Sequence, residues 1–149
     1  MITFENEWFT ANDDNNGVPV VLQGRPTLNH LIGLTSHPTL IRLVWKFEAA
    51  GPHGLPSDEE AARMEQFEGA VMPALEAEKI CVFYCIYQHE GHKEWLAYCS
   101  NIEAAEEILN VTLMDHEEYP IELFEEQDPE WSDYKAMMEG TGHSLELPA

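Results

Sequence analysis

The chain has 149 residues, and its 28 acidic side chains against 7 Lys and Arg give a formal net charge of −21. Such a charge argues against binding to nucleic acid or to an anionic membrane, because both are polyanions. It favours solubility and is compatible with a basic protein partner. The length and a hydrophobic content of 44% predict one domain, residues 1–149, that needs neither disulfides nor a metal to fold.

The apolar segments and the cysteines bear on location. The longest apolar run, residues 80–87, is far shorter than the ~20 residues of a transmembrane helix. The N-terminal residues have no basic stretch followed by an apolar one, so we expect no secretory signal. The chain has three cysteines, an odd number, and all of them lie in apolar segments: Cys81, Cys85 and Cys99. We therefore expect free, reduced thiols and a cytoplasmic protein.

The first 38 residues predict a β-hairpin that extends the domain at its N-terminus. Residues 2–10 alternate loosely, residues 12–17 are a dense turn signal containing Asn-Gly, and residues 18–22 are typical of a second strand. Residues 28–34 are compatible with a short strand or with one helical turn.

A strand with period-two alternation follows at residues 39–48. One face carries apolar side chains: Ile41, Leu43, Trp45 and Phe47. The other face is mixed: Leu40, Arg42, Val44, Lys46 and Glu48. The sequence therefore predicts that the first face is buried and the second partly covered.

Two capping boxes predict two helices. Ser57 and Glu60 fit the first box, in which each side chain would bond the other residue's amide. Its helix should continue, bent, through Pro73, with an apolar stripe of Met64, Phe67, Val71 and Leu75. Ser100 and Glu103 fit the second box, which opens a helix with Ile102, Ala105, Ile108 and Leu109 on its apolar side.

Residues 79–88 and 93–99 predict two strands joined at Glu90-Gly91. A two-residue loop would place His89 opposite His92 and Cys85 opposite Leu96. Uninterrupted alternation would then put Cys81 and Cys85 on the same face, ~13 Å apart, with Cys99 on the opposite face.

From residue 39 onward the predicted order is strand, helix, strand, strand, helix, strand, with the last strand at residues 119–126. This order predicts an α+β fold, a ferredoxin-like βαββαβ antiparallel sheet with two helices on one face. The N-terminal β-hairpin (1–38) and a short C-terminal helix and tail (127–149), capped by Asp128, would be additions to the 39–126 core.

Two of the few cations, Arg42 and Lys46, lie on one face of a strand that should be central. We expect Glu122 to lie across from Arg42. Cross-strand ion pairs on a half-covered sheet face would explain these residues. Alternatively, they form a surface that binds a small anionic ligand or a partner.

The stretch from Asp115 to Asp133 holds nine acids and no base. It is either a solvated face or a docking surface for a basic protein, since nine like charges exceed what solubility needs and repel one another. The residues of this candidate partner-binding surface are Asp115, Glu117, Glu118, Glu122, Glu125, Glu126 and Asp128.

Other candidate sites lack essential groups. The turn that begins at Asn12 resembles half of a calcium loop, but Gln23 stands where a bidentate Glu is needed. His89 and His92 supply only two ligands for a metal, and no cysteine has a base nearby. We therefore expect no catalytic residue, no metal and no cofactor.

Two segments resemble a known family. Residues 54–60 (GLPSDEE) resemble the GLPS-x-EE entry to the first helix of the bacterial family catalogued as domain of unknown function 695. Residues 128–134 (DPEWSDY) resemble its closing DP-x-W-x-x-Y signature. The resemblance implies a relation to the regulator of ribonuclease E activity B family, whose acidic ferredoxin-like members inhibit by binding protein. The shared residues are caps and packing groups, so the resemblance implies no catalytic set.

Our leading hypothesis from the sequence is a non-enzymatic acidic binding protein, a regulator or inhibitor of a basic protein, of which an immunity protein against a cationic toxin is one form. The alternative is an enzyme or small-ligand binder that uses Arg42 and Lys46. The sequence also allows a homodimer.

Overall fold

The computed structural model describes residues 7–15, 18–48, 55–89, 91–116 and 118–142. Within these ranges the elements are, in chain order, β1 (Phe9–Asn15), β2 (Val18–Gly24), a 3-10 turn (Asn29–Leu31), β3 (Thr39–Lys46), α1 (Asp58–Glu76), β4 (Cys81–His89), β5 (His92–Cys99), α2 (Ile102–Leu113), β6 (Ile121–Gln127) and α3 (Ser132–Gly140). The segment 28–34, which the sequence left open, therefore contains a helical turn.

The strands form one six-stranded sheet in the order β1-β2-β4-β5-β3-β6, and every neighbouring pair is antiparallel. Strand β5 lies between β3 and β4, and β3 lies between β5 and β6. The mixed α+β class is thus confirmed. The N-terminal hairpin is present, but β1 occupies most of the segment that was predicted as a turn, residues 12–17. The hairpin continues the same sheet: β2 pairs with β4 from Val20 opposite His89 to Gly24 opposite Cys85.

Helices α1 and α2 cover one face of the sheet, as predicted. Ile41, Leu43 and Trp45 are fully buried there, and the four residues of the predicted α1 stripe are also buried. Phe47 is partly buried. Trp45 packs edge-on against Phe67, with ring centroids 5.9 Å apart, so the central strand and the first helix share one aromatic core.

Helix α3 and the 3-10 turn cover the opposite face. Trp131 and Tyr134 are fully buried against Leu40, Tyr84 and Tyr98 of the sheet. The C-terminal helix is therefore a third layer of the fold. On this face of β3, Leu40 and Val44 are buried, whereas Arg42 between them stays partly exposed.

Both predicted helix starts are found, with different partners. Ser57 Oγ accepts the Glu60 amide at 3.1 Å, but the Glu60 carboxylate accepts from Trp45 Nε1 at 2.7 Å and from Arg63 at 3.0 Å. The second cap is Asn101, not Ser100: Asn101 Oδ1 accepts the Ala104 amide at 3.1 Å. The cap thus moves one residue along the chain, and Asn101 satisfies one of the orphan amides of the first helical turn.

The β4–β5 register follows the prediction near the turn and departs from it beyond Tyr84. Cys85 is opposite Leu96, as expected, but an irregularity between Phe83 and Cys85 adds one residue to β4. A bulge reverses the faces beyond it. Consequently Cys81 lies opposite Cys99 under α1 and α2, whereas Cys85 faces α3. The predicted placement of Cys81 with Cys85, and of Cys99 across from them, is wrong. All three thiols are free and buried.

This register predicts which cysteines an oxidant can join. Directly opposed residues of antiparallel strands have Cα atoms roughly 4.5–5.5 Å apart, within the ~4.4–6.8 Å range of disulfides. We expect diamide, added to the native protein in a long incubation, to join Cys81 to Cys99 and leave Cys85 reduced. Both thiols of the pair are fully buried, so the reaction should be slow and should proceed through local opening of the fold.

Peptide mapping by mass spectrometry measures the linkage. Cys99→Ser should abolish the cross-link, and Cys85→Ser, the matched control, should leave it intact. A disulfide that contains Cys85 would show that the bulge is misplaced.

Candidate functional site

The edge strand β6 carries most of the predicted acidic site. It pairs with β3 on one side and has no strand on its other side within the described residues. Ile121 and Leu123 lie opposite Trp45 and Leu43, on the face covered by α1 and α2. Because side chains alternate along a strand, the even-numbered residues of β6 belong to the α3 face.

The acids therefore line an edge and do not share one face. Glu122 and Glu126 lie on the α3 face, Glu125 lies on the opposite face, and all three are exposed. Asp115 and Glu118, in the connection from α2 to β6, are exposed as well. Glu117 lies outside the described residues. We call the five described residues, together with the strand itself, the acidic edge: Asp115, Glu118, Glu122, Glu125 and Glu126.

Arg42 and Lys46 are engaged in cross-strand ion pairs. Arg42 approaches Glu126 at 3.2 Å and Glu94 at 3.7 Å, and Lys46 approaches Glu122 at 3.7 Å. The residue opposite Arg42 is Phe124, because Glu122 lies opposite Val44. The expected placement of Glu122 across from Arg42 is thus off by two residues. Exposed pairs of this kind contribute only about 0–1 kcal/mol each.

A cavity of about 330 Å³ lies between the sheet and α3, with Arg42 at its wall. Leu22, Leu96 and Met137 give it an apolar lining, and Cys85 and Tyr87 also border it. Burial, reinforced by the charges of Asp133 and Glu94, raises the pKa of Cys85 to about 12. This thiol is therefore protonated near neutral pH and is a poor nucleophile.

A buried ion pair on the other side of the sheet was missed by the sequence reasoning. Arg25 is only 1% exposed and contacts Glu76 at 2.6 Å, and it also donates to the Phe83 carbonyl at 2.9 Å. Glu76 accepts the Phe83 amide at 3.0 Å, and the ring of Trp8 lies 4.6 Å from the guanidinium. The pair borders a cavity of about 500 Å³. Fifty-one positions separate the partners, so no local pattern indicates the contact.

The DPEWSDY segment anchors α3 to the sheet. The Asp128 carboxylate accepts the amides of Ser132 and Asp133 at 2.9 and 3.0 Å and the Tyr98 hydroxyl at 2.7 Å. Trp131 stacks on Tyr98 with centroids 4.1 Å apart. Asp128 does accept amides of the first turn of the last helix, but that helix begins at Ser132 and its N-cap residue is Trp131. With three donors already bound to its carboxylate, Asp128 has a structural role within the predicted acidic site.

No group of three or more His, Cys, Asp or Glu among the described residues is arranged to hold a metal ion. The tip of the β1–β2 turn, where the calcium-loop resemblance was considered, includes residues 16 and 17, which lie outside the described ranges. Within the described ranges, helices that could cross a membrane are likewise absent.

The contacts of Asp128 with α3 and Tyr98 predict how the Asp128→Ala substitution changes stability. Burial opposes ionisation of this carboxyl, but the amides of Asp133 and Ser132 and the Tyr98 hydroxyl outweigh it and lower its pKa. The stabilisation is therefore complete above the ordinary value of 3.8 and is lost as the pH falls through the lower folded value. At pH 7 the variant should lose about 1–3 kcal/mol of unfolding free energy.

Urea denaturation followed by tryptophan fluorescence measures this loss. Asp128→Asn keeps an acceptor for one amide and should be affected less. The difference between parent and Asp128→Ala should shrink as the pH falls below the ordinary value of 3.8. A difference that grows on acidification would contradict the assignment.

The match to known proteins rests on a family model. The model for a family of unknown function, DUF695, matches residues 6–138. No significant match was found among curated proteins or among solved structures. The matched region spans all six strands and nearly all of α3. The chain therefore belongs to the DUF695 family.

Proposed function

We propose that this chain is a non-enzymatic binding protein, a regulator or inhibitor that holds a basic protein at the acidic edge. The observation that carries the proposal is the concentration of exposed carboxylates along β6 and the loop before it. An immunity protein that neutralises a cationic toxin is one form of this function. The proposal includes a reducing, cytoplasmic setting, which the three unpaired thiols support.

The acidic edge keeps a large uncompensated charge. Glu122 and Glu126 are partly neutralised by Lys46 and Arg42. Asp115, Glu118 and Glu125, by contrast, take part in none of the ion pairs found among the described residues. A cationic partner would relieve their mutual repulsion, and their field would steer its approach.

The exposed ring of Phe124 gives the same edge an apolar contact. Its side chain is 47% exposed although it lies at the centre of β6. Aromatic groups are enriched at protein interfaces, where they bury a large area at low entropic cost. An acidic rim around one aromatic side chain is therefore better suited to a protein partner than to simple solvation.

The strand order supports the ferredoxin-like part of the proposal. The strand order β4-β5-β3-β6 with two helices on one face is the arrangement expected of a ferredoxin-like core. We include in the proposal that this core is ferredoxin-like and that the family is related to the acidic regulators of ribonuclease E. Neither point is needed for binding at the acidic edge.

A small-ligand site at Arg42 is the second candidate, and the 330 Å³ cavity favours it. Arg42 is already engaged by Glu94 and Glu126, so an anionic ligand would have to displace carboxylates that are tied to the same sheet. This competition makes the cavity the weaker choice.

The function predicts that neutralising the unpaired acids slows partner association. The variant is Asp115→Asn, Glu118→Gln, Glu125→Gln, which changes the net charge from −21 to −18. The matched control is Glu59→Gln, Glu65→Gln, Glu78→Gln, three exposed acids on and after α1 that change the charge equally. Partners captured from lysate at low salt and eluted at high salt would be identified and used for surface kinetics.

We expect the edge variant to associate about tenfold more slowly at low salt, and the control to stay close to the parent, because local charge steers the encounter. The difference should narrow at high salt, where screening shortens to less than ~8 Å. Equal rates for parent and edge variant would reject the acidic edge and turn attention to Arg42 and Lys46.

A further inference from the structure

The outer side of β6 presents backbone groups of a definite set of residues, and no strand pairs with them within the described part of the chain. The Asp128 amide donates to the Pro38 carbonyl at 2.8 Å, one position beyond the pair formed by Gln127 and Thr39. In an antiparallel ladder, hydrogen-bonded pairs alternate with non-hydrogen-bonded pairs. The even-numbered residues of β6 therefore point their N–H and C=O groups at β3.

The odd-numbered residues consequently point their N–H and C=O groups away from the sheet. The Ile121 amide is satisfied by the Tyr119 carbonyl at 2.8 Å. Leu123, Glu125 and Gln127 present the remaining outward groups, spaced for a further strand. Such an edge is a template for pairing with another chain unless something covers it or repels the newcomer.

The side chains around this edge decide which chain can join. Glu125 flanks it on the face of α1 and α2, and Glu122 and Glu126 flank it on the α3 face. A second copy would bring the same acids opposite these, and directly opposed like charges destabilise a strand pair. A strand with Lys or Arg on both faces would meet an opposite charge at each position.

We propose that a basic partner binds by strand addition, its extended Lys- or Arg-rich segment joining the sheet beside β6. Its backbone pairs with Leu123, Glu125 and Gln127, and its cationic side chains lie between Glu125 on one face and Glu122 and Glu126 on the other. Backbone pairing supplies affinity in this mode, and the alternating side chains supply selectivity. The inference rests on the proposed function and specifies how the acidic edge is used.

The decisive variant is Glu125→Pro. Because the Glu125 amide points outward, proline removes one donor of the open edge and leaves the ladder with β3 intact, a position where strands tolerate proline. The matched control is Glu125→Gln, which removes the same charge and keeps the amide. The probe is a short synthetic peptide with the repeat Lys-Lys-Val-Val, which places Lys on both faces of an extended strand. Its dissociation constant is measured by calorimetry with each full-length variant.

We expect Glu125→Gln to lower the affinity for the peptide by a few-fold, because one charge is lost. Glu125→Pro should lower that affinity by about a further tenfold, because a hydrogen bond is lost and the backbone is stiffened. Amide exchange followed by NMR gives an independent readout on the parent chain. Peptide binding should slow exchange at Leu123, Glu125 and Gln127 and change it little at Glu122, Phe124 and Glu126, whose amides are already paired.

The outcomes separate this inference from the proposed function. If proline and glutamine weaken the peptide equally and exchange shows no odd–even pattern, strand addition is overturned while charge-driven binding stands. If the variant Asp115→Asn, Glu118→Gln, Glu125→Gln also binds the peptide like the parent, both the strand-addition inference and the proposed function are overturned. If the peptide does not bind to the parent chain, the inference is overturned. It is also overturned if the parent forms a concentration-dependent dimer that Glu125→Pro disrupts, and the edge is then assigned to a second copy of the chain. Should Glu125→Pro fail to fold, the exchange pattern of the parent decides alone.

Discussion

The structure depends on one constraint: a sheet with apolar side chains on both faces has to be covered on both. Cover on the first face comes from α1 and α2, and on the second it comes from α3, which is held by Asp128 and by the stacking of Trp131 on Tyr98. Each layer places a carboxylate against an aromatic donor of the sheet, Glu60 on Trp45 and Asp128 on Tyr98. Hydrogen bonds of this type satisfy polar atoms that would otherwise be costly to bury.

Covering both faces limits where a partner can bind. What stays accessible are the ends of the sheet, its edges and the incompletely covered strip around Arg42. Of these, the β6 edge combines exposed carboxylates, an exposed aromatic ring and open backbone groups. The function we propose therefore follows from what the layers leave uncovered, and it does not require a specialised cleft.

The sequence predicted what depends on neighbours along the chain. The alternation of residues 39–48 identified the buried face of β3, and the serine at 57 identified the start of α1. Prediction from the sequence failed where contacts between distant residues, or an irregular strand, determine which side chains meet. The bulge near Tyr84 reverses the faces of β4 and moves Cys81 next to Cys99, and alternation alone contains no sign of it. The Arg25–Glu76 pair and the identity of the residue opposite Arg42 depend on tertiary register, which one sequence does not encode locally.

The same limitation affected the acidic segment. A count of charges along the chain suggested a single face, but period two distributes Glu122, Glu125 and Glu126 over both faces of an edge strand. That distribution is more informative than a single face would be. Acids on both sides of an open edge discourage self-pairing of β6, which would otherwise invite aggregation, and they leave the edge attractive to a cationic strand. In the function we propose, one set of carboxylates thus serves two purposes: it opposes self-pairing of the edge, and it selects a cationic strand as the partner.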